Sequence, residues 1–167
     1  MSDPRFSRTV IAVAGHDQDG ALGVVLNRTA DVSVGDTVPD LADVVETGER
    51  LHIGGPVQED SIVVMAEFDD PQEAHLVITG AIGLVSERTQ IDRLAQLDGR
   101  RRAFAGYAGW SAGQLDAEVA NDDWFITDAL PQDLFAENPE TLWSDVLERM
   151  GGEYRLVARM PVDVSVN

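Results

Sequence analysis

Between residues 9 and 107, short apolar runs alternate with glycine, proline and aspartate turns. This punctuation constrains the fold more than any other feature of the chain, because runs of four to eight residues suit strands and are too short for long helices. Thr9–Ala14 is the first β-type run, Asp17-Gln18-Asp19-Gly20 is turn chemistry, and Ala21–Asn27 reads as the returning strand of a hairpin. Gly23 inside that strand predicts a bulge or a close backbone approach. Further strands are expected at Leu51–Ile53, Ser61–Phe68, His75–Thr79, Arg102–Tyr107, Trp124–Thr127 and Tyr154–Met160.

Helical spacing interrupts these runs. Val34–Val45 predicts a short helix broken at Pro39, Ser86–Leu97 a helix capped by Ser86, and Ser111–Val119 another. Asn138-Pro139 opens the clearest one, with Leu142, Trp143, Val146, Leu147 and Met150 on its apolar face and Gly151-Gly152 as its stop. Strands and helices interleave irregularly and hairpins are frequent, which predicts an α+β fold with a mixed sheet. The 167 residues suit a single domain over 1–167.

Charge narrows the partners. There are 30 acidic residues against 12 basic ones, all arginine, for a formal charge of −18. Such a surface repels phosphate backbones and anionic lipid. The dense positive cluster is Arg100-Arg101-Arg102, which offers few phosphate contacts, so direct nucleic-acid binding is not expected. Without lysine there is no Schiff-base or P-loop lysine, and without cysteine no disulfide, thiolate nucleophile or sulfur-ligated metal. No apolar run approaches the ~20 residues that span a bilayer, and Met1–Arg5 begins no signal peptide. The expectation is a cytoplasmic protein with no membrane partner, no metal and no cofactor.

Four motifs carry possible chemistry. Gly109-Trp110-Ser111-Ala112-Gly113 matches the nucleophile elbow in a strand–turn–helix context. Yet His16, His52 and His75 all precede Ser111, against the hydrolase order, and Ser111 with Gln114 has capping-box spacing. The spacing predicts that Ser111 caps a helix. Gly15–Gly20 has glycines at P-loop spacing and aspartates as in a calcium loop, but lacks the lysine, the hydroxyl and the distal glutamate, so a polar turn is expected. His16 beside it is either a base or ligand poised near neutral pH or a hydrogen-bonded structural residue. Gly54-Gly55-Pro56 is either an anion-binding nest of amides or a tight corner. Tyr107, Trp110 and Trp124 either line a pocket or close a core.

In order along the chain, these motifs resemble the AlgH/YqgE family of bacterial proteins. The residues that carry the resemblance are Asp3-Pro4-x-Phe6, Gly15-His16 with Gly20-Ala21-Leu22-Gly23 and Leu26-Asn27-Arg28, then Ile53-Gly54-Gly55-Pro56-Val57. Gly106-Tyr107-Ala108-Gly109-Trp110, Gly113-Gln114-Leu115, Glu118, Trp124 and Leu142-Trp143 complete it. The resemblance implies a compact domain with a barrel-like mixed sheet and flanking helices. It carries a transcriptional-regulator label and implies no catalytic residues. The family pattern has an apolar strand before the Asp-Pro element, where only Met1-Ser2 stands here.

The expected function is a regulatory or binding domain for a small-molecule or protein partner. The candidate ligand-binding residues are His16, Asn27, Gly54, Gly55, Tyr107, Trp110 and Gln114, drawn from the hairpin, the Gly-Gly-Pro corner and the Tyr107–Gln114 segment. The alternatives are a hydrolase-like enzyme using His16, Asn27 or Ser111 in the same cleft, and a transcriptional regulator.

Overall fold

A computed structural model describes residues 6–86, 91 and 93–160. The Asp3-Pro4 element and the first turn of the helix expected from Ser86 lie outside them. Among the described residues there are eight strands: β1 Ile11–Asp17, β2 Gly20–Val25, β3 Thr29–Ser33, β4 Arg50–Ile53, β5 Val57–Glu67, β6 Leu76–Thr79, β7 Ile82–Val85 and β8 Arg101–Ser111. The helices are α1 Val34–Thr37, α2 Gln114–Ala120, α3 Pro131–Leu134, α4 Pro139–Met150 and α5 Tyr154–Ala158. Ile91, Arg93 and Leu94 are also helical.

The sheet runs β1-β2-β8-β5-β7-β6, with β4 parallel to β8 and β3 antiparallel to β4. β8 is the spine. β5 pairs along it from Arg101 to Tyr107, β4 meets Phe104 and Ala105, and β2 meets Ala108 to Ser111. At the far ends β6 comes round against β1, where Leu76 Cδ2 lies 3.5 Å from the position a Cβ on Gly15 would take. The result is a nearly closed, barrel-like sheet in an α+β domain.

One core fills the barrel and the underside of α3 and α4. It holds Val24, Leu26, Met65, Leu84 and Phe104 with Leu134, Leu142 and Val146. A second lies on the other side of the sheet around Val34, Leu41, Leu51, Val64, Val85 and Leu94. A third, smaller cluster puts Ala108, Trp110 and Leu115 beneath α2. Strand alternation alone would send Phe104 and Tyr107 to opposite faces. Both nevertheless join the first core, because Gly106 breaks the alternation at φ 65° in mid-strand, opposite the register shift between Val57 and Ile62 of β5. The same residue is where the Gly54-Gly55 corner crosses β8.

Local signals account for much of this. Asn138 Oδ1 accepts from the Glu140 amide at 3.2 Å, Pro139 sits at N1, and Gly151 at φ 76° ends α4. The helix expected over Val34–Val45 is broken as predicted, into α1 and a 3₁₀ turn at Pro39–Leu41.

Three expectations are corrected. Trp124–Thr127 is not a strand; it crosses from α2 toward α3 with its indole and ring committed to side-chain partners rather than a ladder. Tyr154–Met160 is not a strand either. Gly151 and Gly152, both left-handed, turn the chain back onto α4, so the run packs there as α5, tied by Arg159 to Glu148 at 3.0 Å. Ser111 is the last residue of β8 rather than a helix cap; Gly113 at φ 71° holds that position. Two strands had no clear sequence signal. β3 is polar, with irregular register on β4, and β7 carries Gly83 in its middle.

Candidate functional site

The hairpin and β8 meet edge to edge. His16 pairs with Ala21 and Ala21 with Trp110; Gly15 pairs with Leu22 and Leu22 with Gly109. Residues opposite one another share a face, and consecutive residues do not. The two rows therefore serve opposite sides of the sheet.

On the first side lie His16, Trp110 and Gln114 with α2. Trp110 is buried, and its indole donates to Glu118 Oε2 at 3.0 Å; Trp124 donates to the same oxygen at 2.8 Å. Gln114 Nε2 donates to Glu118 Oε1 at 2.9 Å, while Gln114 Oε1 accepts from the Ser111 amide and hydroxyl at 3.1 Å each. Burial pushes the Glu118 carboxyl up, but the bonds from Trp124, Gln114 and Trp110 together outweigh it and hold the group below its ordinary value. His16 Nε2 sits 3.2 Å from Asp116 Oδ2 on the exposed rim of α2. The Ser111 hydroxyl is thus engaged by Gln114 and His16 by Asp116. Neither serves the other.

On the second side, Gly15 and Gly109 leave out the side chains that would flank Leu22. A Cβ on Gly109 would lie 3.5 Å from the Tyr107 ring and 3.6 Å from Val57. The space they vacate is part of an open groove of about 510 Å³, floored by glycine backbone and walled by Leu22, Val57, Leu76 and Tyr107, with Asp17 and Asp19 at the hairpin end. Leu22, Leu76 and Tyr107 pack against the barrel core, so the groove is one mouth of the barrel. Ligands favour such mouths.

Trp110 also borders this groove, although its indole is held by Glu118 beside α2; the other predicted residues do not line it. Asn27 clamps the segment before β1: its Oδ1 accepts from the Val10 amide and its Nδ2 donates to the Arg8 carbonyl, both at 2.8 Å. Gly54 and Gly55 form a backbone crossing. Gly54 donates to Ala105 at 2.8 Å and accepts from Val25 at 2.9 Å, and a Cβ on Gly55 would lie 2.3 Å from the Tyr107 carbonyl. Gly55 also borders a second, smaller pocket of about 190 Å³ with Phe6, Val25, Arg28 and Pro56. The corner therefore neighbours the hairpin and Tyr107 through the β8 backbone, while the side chains divide between separate surfaces. Sequence reading missed Asp17, Asp19, Leu22, Val57 and Leu76 as groove residues; the available signal was the glycine pair, Gly15 and Gly109, in strands beside one another.

Among the described residues no group of three or more His, Asp or Glu is placed to hold a metal ion, and no helix is long and apolar enough to cross a membrane. The arginine triplet is committed to the fold. Arg100 meets Glu67 at 3.2 Å, Arg101 donates to the Leu94, Leu97 and Gly99 carbonyls, and Arg102 bonds Glu49 and the Leu134 and Ala136 carbonyls.

The sequence model of a family described as AlgH-like (DUF179) matches residues 1–155. The chain belongs to the AlgH-like family. A UPF0301 protein of Streptomyces coelicolor is 40% identical over 173 aligned positions, covering all of this chain and 90% of the relative. One from Mycolicibacterium smegmatis is 38% identical and is covered to 86%. The fold matches the crystal structure of protein DIP2367 from Corynebacterium diphtheriae at TM-score 0.82 and 29% identity, covering 96% of this chain and 86% of that one. It matches the solution structure of AlgH from Pseudomonas aeruginosa at TM-score 0.70 and 26% identity, with 98% and 90% covered. These matches agree with the family and the α+β fold; they name no ligand and no reaction.

Proposed function

We propose that this AlgH-like chain is a non-catalytic binding domain that receives a small molecule or a partner's side chain at the mouth of its barrel and passes that occupancy on as a regulatory signal. The observation that carries the reading is the groove beside Leu22, opened by Gly15 and Gly109 and walled by Tyr107, Val57 and Leu76. Its volume falls within the usual range for ligand sites, about 300–1,000 Å³, and its makeup is apolar walls with a few polar groups. The enzyme reading has less support, since Ser111 pairs with Gln114, His16 with Asp116 and Asn27 with backbone. A nucleic-acid reading also has little, since Arg100, Arg101 and Arg102 are engaged and the net charge is −18.

The test is native mass spectrometry of the purified wild type and of Gly109→Val. A Cβ at this position meets only ordinary contacts, and the valine methyl groups extend from it into the groove. A bound species present in the wild type and absent from the folded variant supports the reading. Equal occupancy in both overturns it.

A further inference from the structure

The groove is electrically lopsided. Asp17 follows Gly15 by two residues on β1 and shares its side of the sheet, and Asp19 stands next to it in the turn, with its amide donating to Asp17 Oδ1 at 2.8 Å. Both carboxylates are exposed, and among the described residues neither pairs with an arginine or histidine. Among the described residues no basic side chain lines the groove. Away from the hairpin the walls are Leu22, Val57, Leu76 and the Tyr107 ring. Tyr107 has no hydrogen-bond partner among the described residues, so its hydroxyl is free to meet a ligand.

An occupant that buries an apolar body against those walls must end in something that suits two carboxylates. A carboxylate or phosphate there would meet like charge at short range, in a protein already at −18. An ammonium or guanidinium would gain a charge-assisted hydrogen bond.

We infer that the barrel-mouth groove takes an apolar group ending in a primary ammonium or guanidinium, its alkyl part against Leu22, Leu76 and Tyr107 and its cationic end at Asp17 and Asp19. This rests on the groove being the binding site, as proposed above. The same chemistry is offered by a free alkyl amine and by a lysine or arginine side chain of a partner protein.

The test titrates three probes of equal length, hexylammonium, hexanol and hexanoate, into the ¹⁵N-labelled protein and follows the amides of Gly15, Leu22, Tyr107 and Gly109. Expected is saturable binding in the order ammonium, alcohol, carboxylate, with ammonium about two- to fivefold tighter than alcohol, the scale of an exposed charge pair. Asp17→Asn with Asp19→Asn should bring ammonium and alcohol to equal affinity. Asp43→Asn with Glu46→Gln removes the same charge from the exposed segment between α1 and β4 and should leave the preference intact. Equal binding of ammonium and alcohol by the wild type, or an unchanged preference in the Asp17/Asp19 variant, overturns the inference while leaving the groove as a site. No groove response to any probe overturns both readings. A further arm compares hexylammonium with an acetylated Leu-Lys-Leu amide: tighter peptide binding assigns the cation to a partner protein, and tighter amine binding to a small molecule.

Discussion

Gly54 crosses β8 so closely at Gly106 that a Cβ on Gly54 would lie 2.3 Å from the Gly106 carbonyl oxygen. Gly106 in turn is left-handed, and a Cβ on it would lie 2.6 Å from the Gly55 carbonyl. Backbone meets backbone here, so no flexible side chain can move aside. Gly54→Ala is expected to cost about 3 kcal/mol or more, the upper end of overpacking effects. Gly109→Ala, with ordinary contacts, should cost under about 1 kcal/mol. Urea unfolding of the two variants checks the contrast; equal losses would contradict the crossing.

Glu118 holds two indoles at once. Glu118→Leu leaves the half-buried Trp110 and Trp124 N–H groups without their acceptor, and should lower stability by about 1–2 kcal/mol, the lower part of the range for stranded donors. The carboxyl titrates below its ordinary value in the folded protein. Its contribution is therefore full above the unfolded value and is lost as pH falls through the folded one. Glu118→Gln should remove that part of the acid dependence, read by tryptophan fluorescence during denaturation at several pH values.

His52 is 2% exposed, packs its ring on Phe104 at 5.3 Å, and has no partner for Nε2 among the described residues. Burial, and then repulsion from Arg102, lower its pKa from 6.5 to about 4, against a smaller opposing effect of the bond to the Arg50 carbonyl. The unfolded chain thus takes up the proton first. Stability should fall as pH drops from 6.5 toward 4, by about 3 kcal/mol at about 1.36 kcal/mol per pKa unit. His52→Leu should flatten that window. A wild-type and variant profile of equal slope between those pH values would refute the assignment.

Ser111 is exposed at the end of β8 and shares Gln114 Oε1 with its own amide. Because it caps no helix, Ser111→Ala should cost less than about 0.5 kcal/mol, below the typical loss of a cap. A fluorophosphonate probe should leave the protein unlabelled; stoichiometric modification of Ser111 would restore the hydrolase reading.

Arg102 is the most buried arginine of the triplet and bonds Glu49 and two carbonyls of the α3 region. Arg102→Ala should cost about 3 kcal/mol, since it strands a carboxylate and two acceptors. The wild type should shift no defined duplex at nanomolar concentration and physiological salt, where specific complexes form at about 10⁻⁸ M or tighter. A specific shift surviving competitor DNA would show that other positives gather on one face.

The sequence by itself determined the parts whose causes are local. Asp17–Gly20 makes the hairpin turn, Asn138-Pro139 starts α4, and Gly151 stops it, because capping and left-handed glycine act within a few residues. The family-bearing glycines and the mixed α+β architecture were legible for the same reason. Tertiary structure decided the rest. Tyr154–Ala158 has β-type alternation yet becomes helix, since a strand needs a neighbour and among the described residues none pairs with it. Which side of the sheet the Trp110 indole takes depends on the phase of β8 beyond the left-handed Gly106. The candidate residues therefore split: Tyr107 walls the groove, Trp110 borders it while its indole joins Gln114 in supporting α2, and Asn27 clamps backbone. Side chains of one row are joined by register between strands up to ninety residues apart, and register is set by packing and bulges that no local window contains.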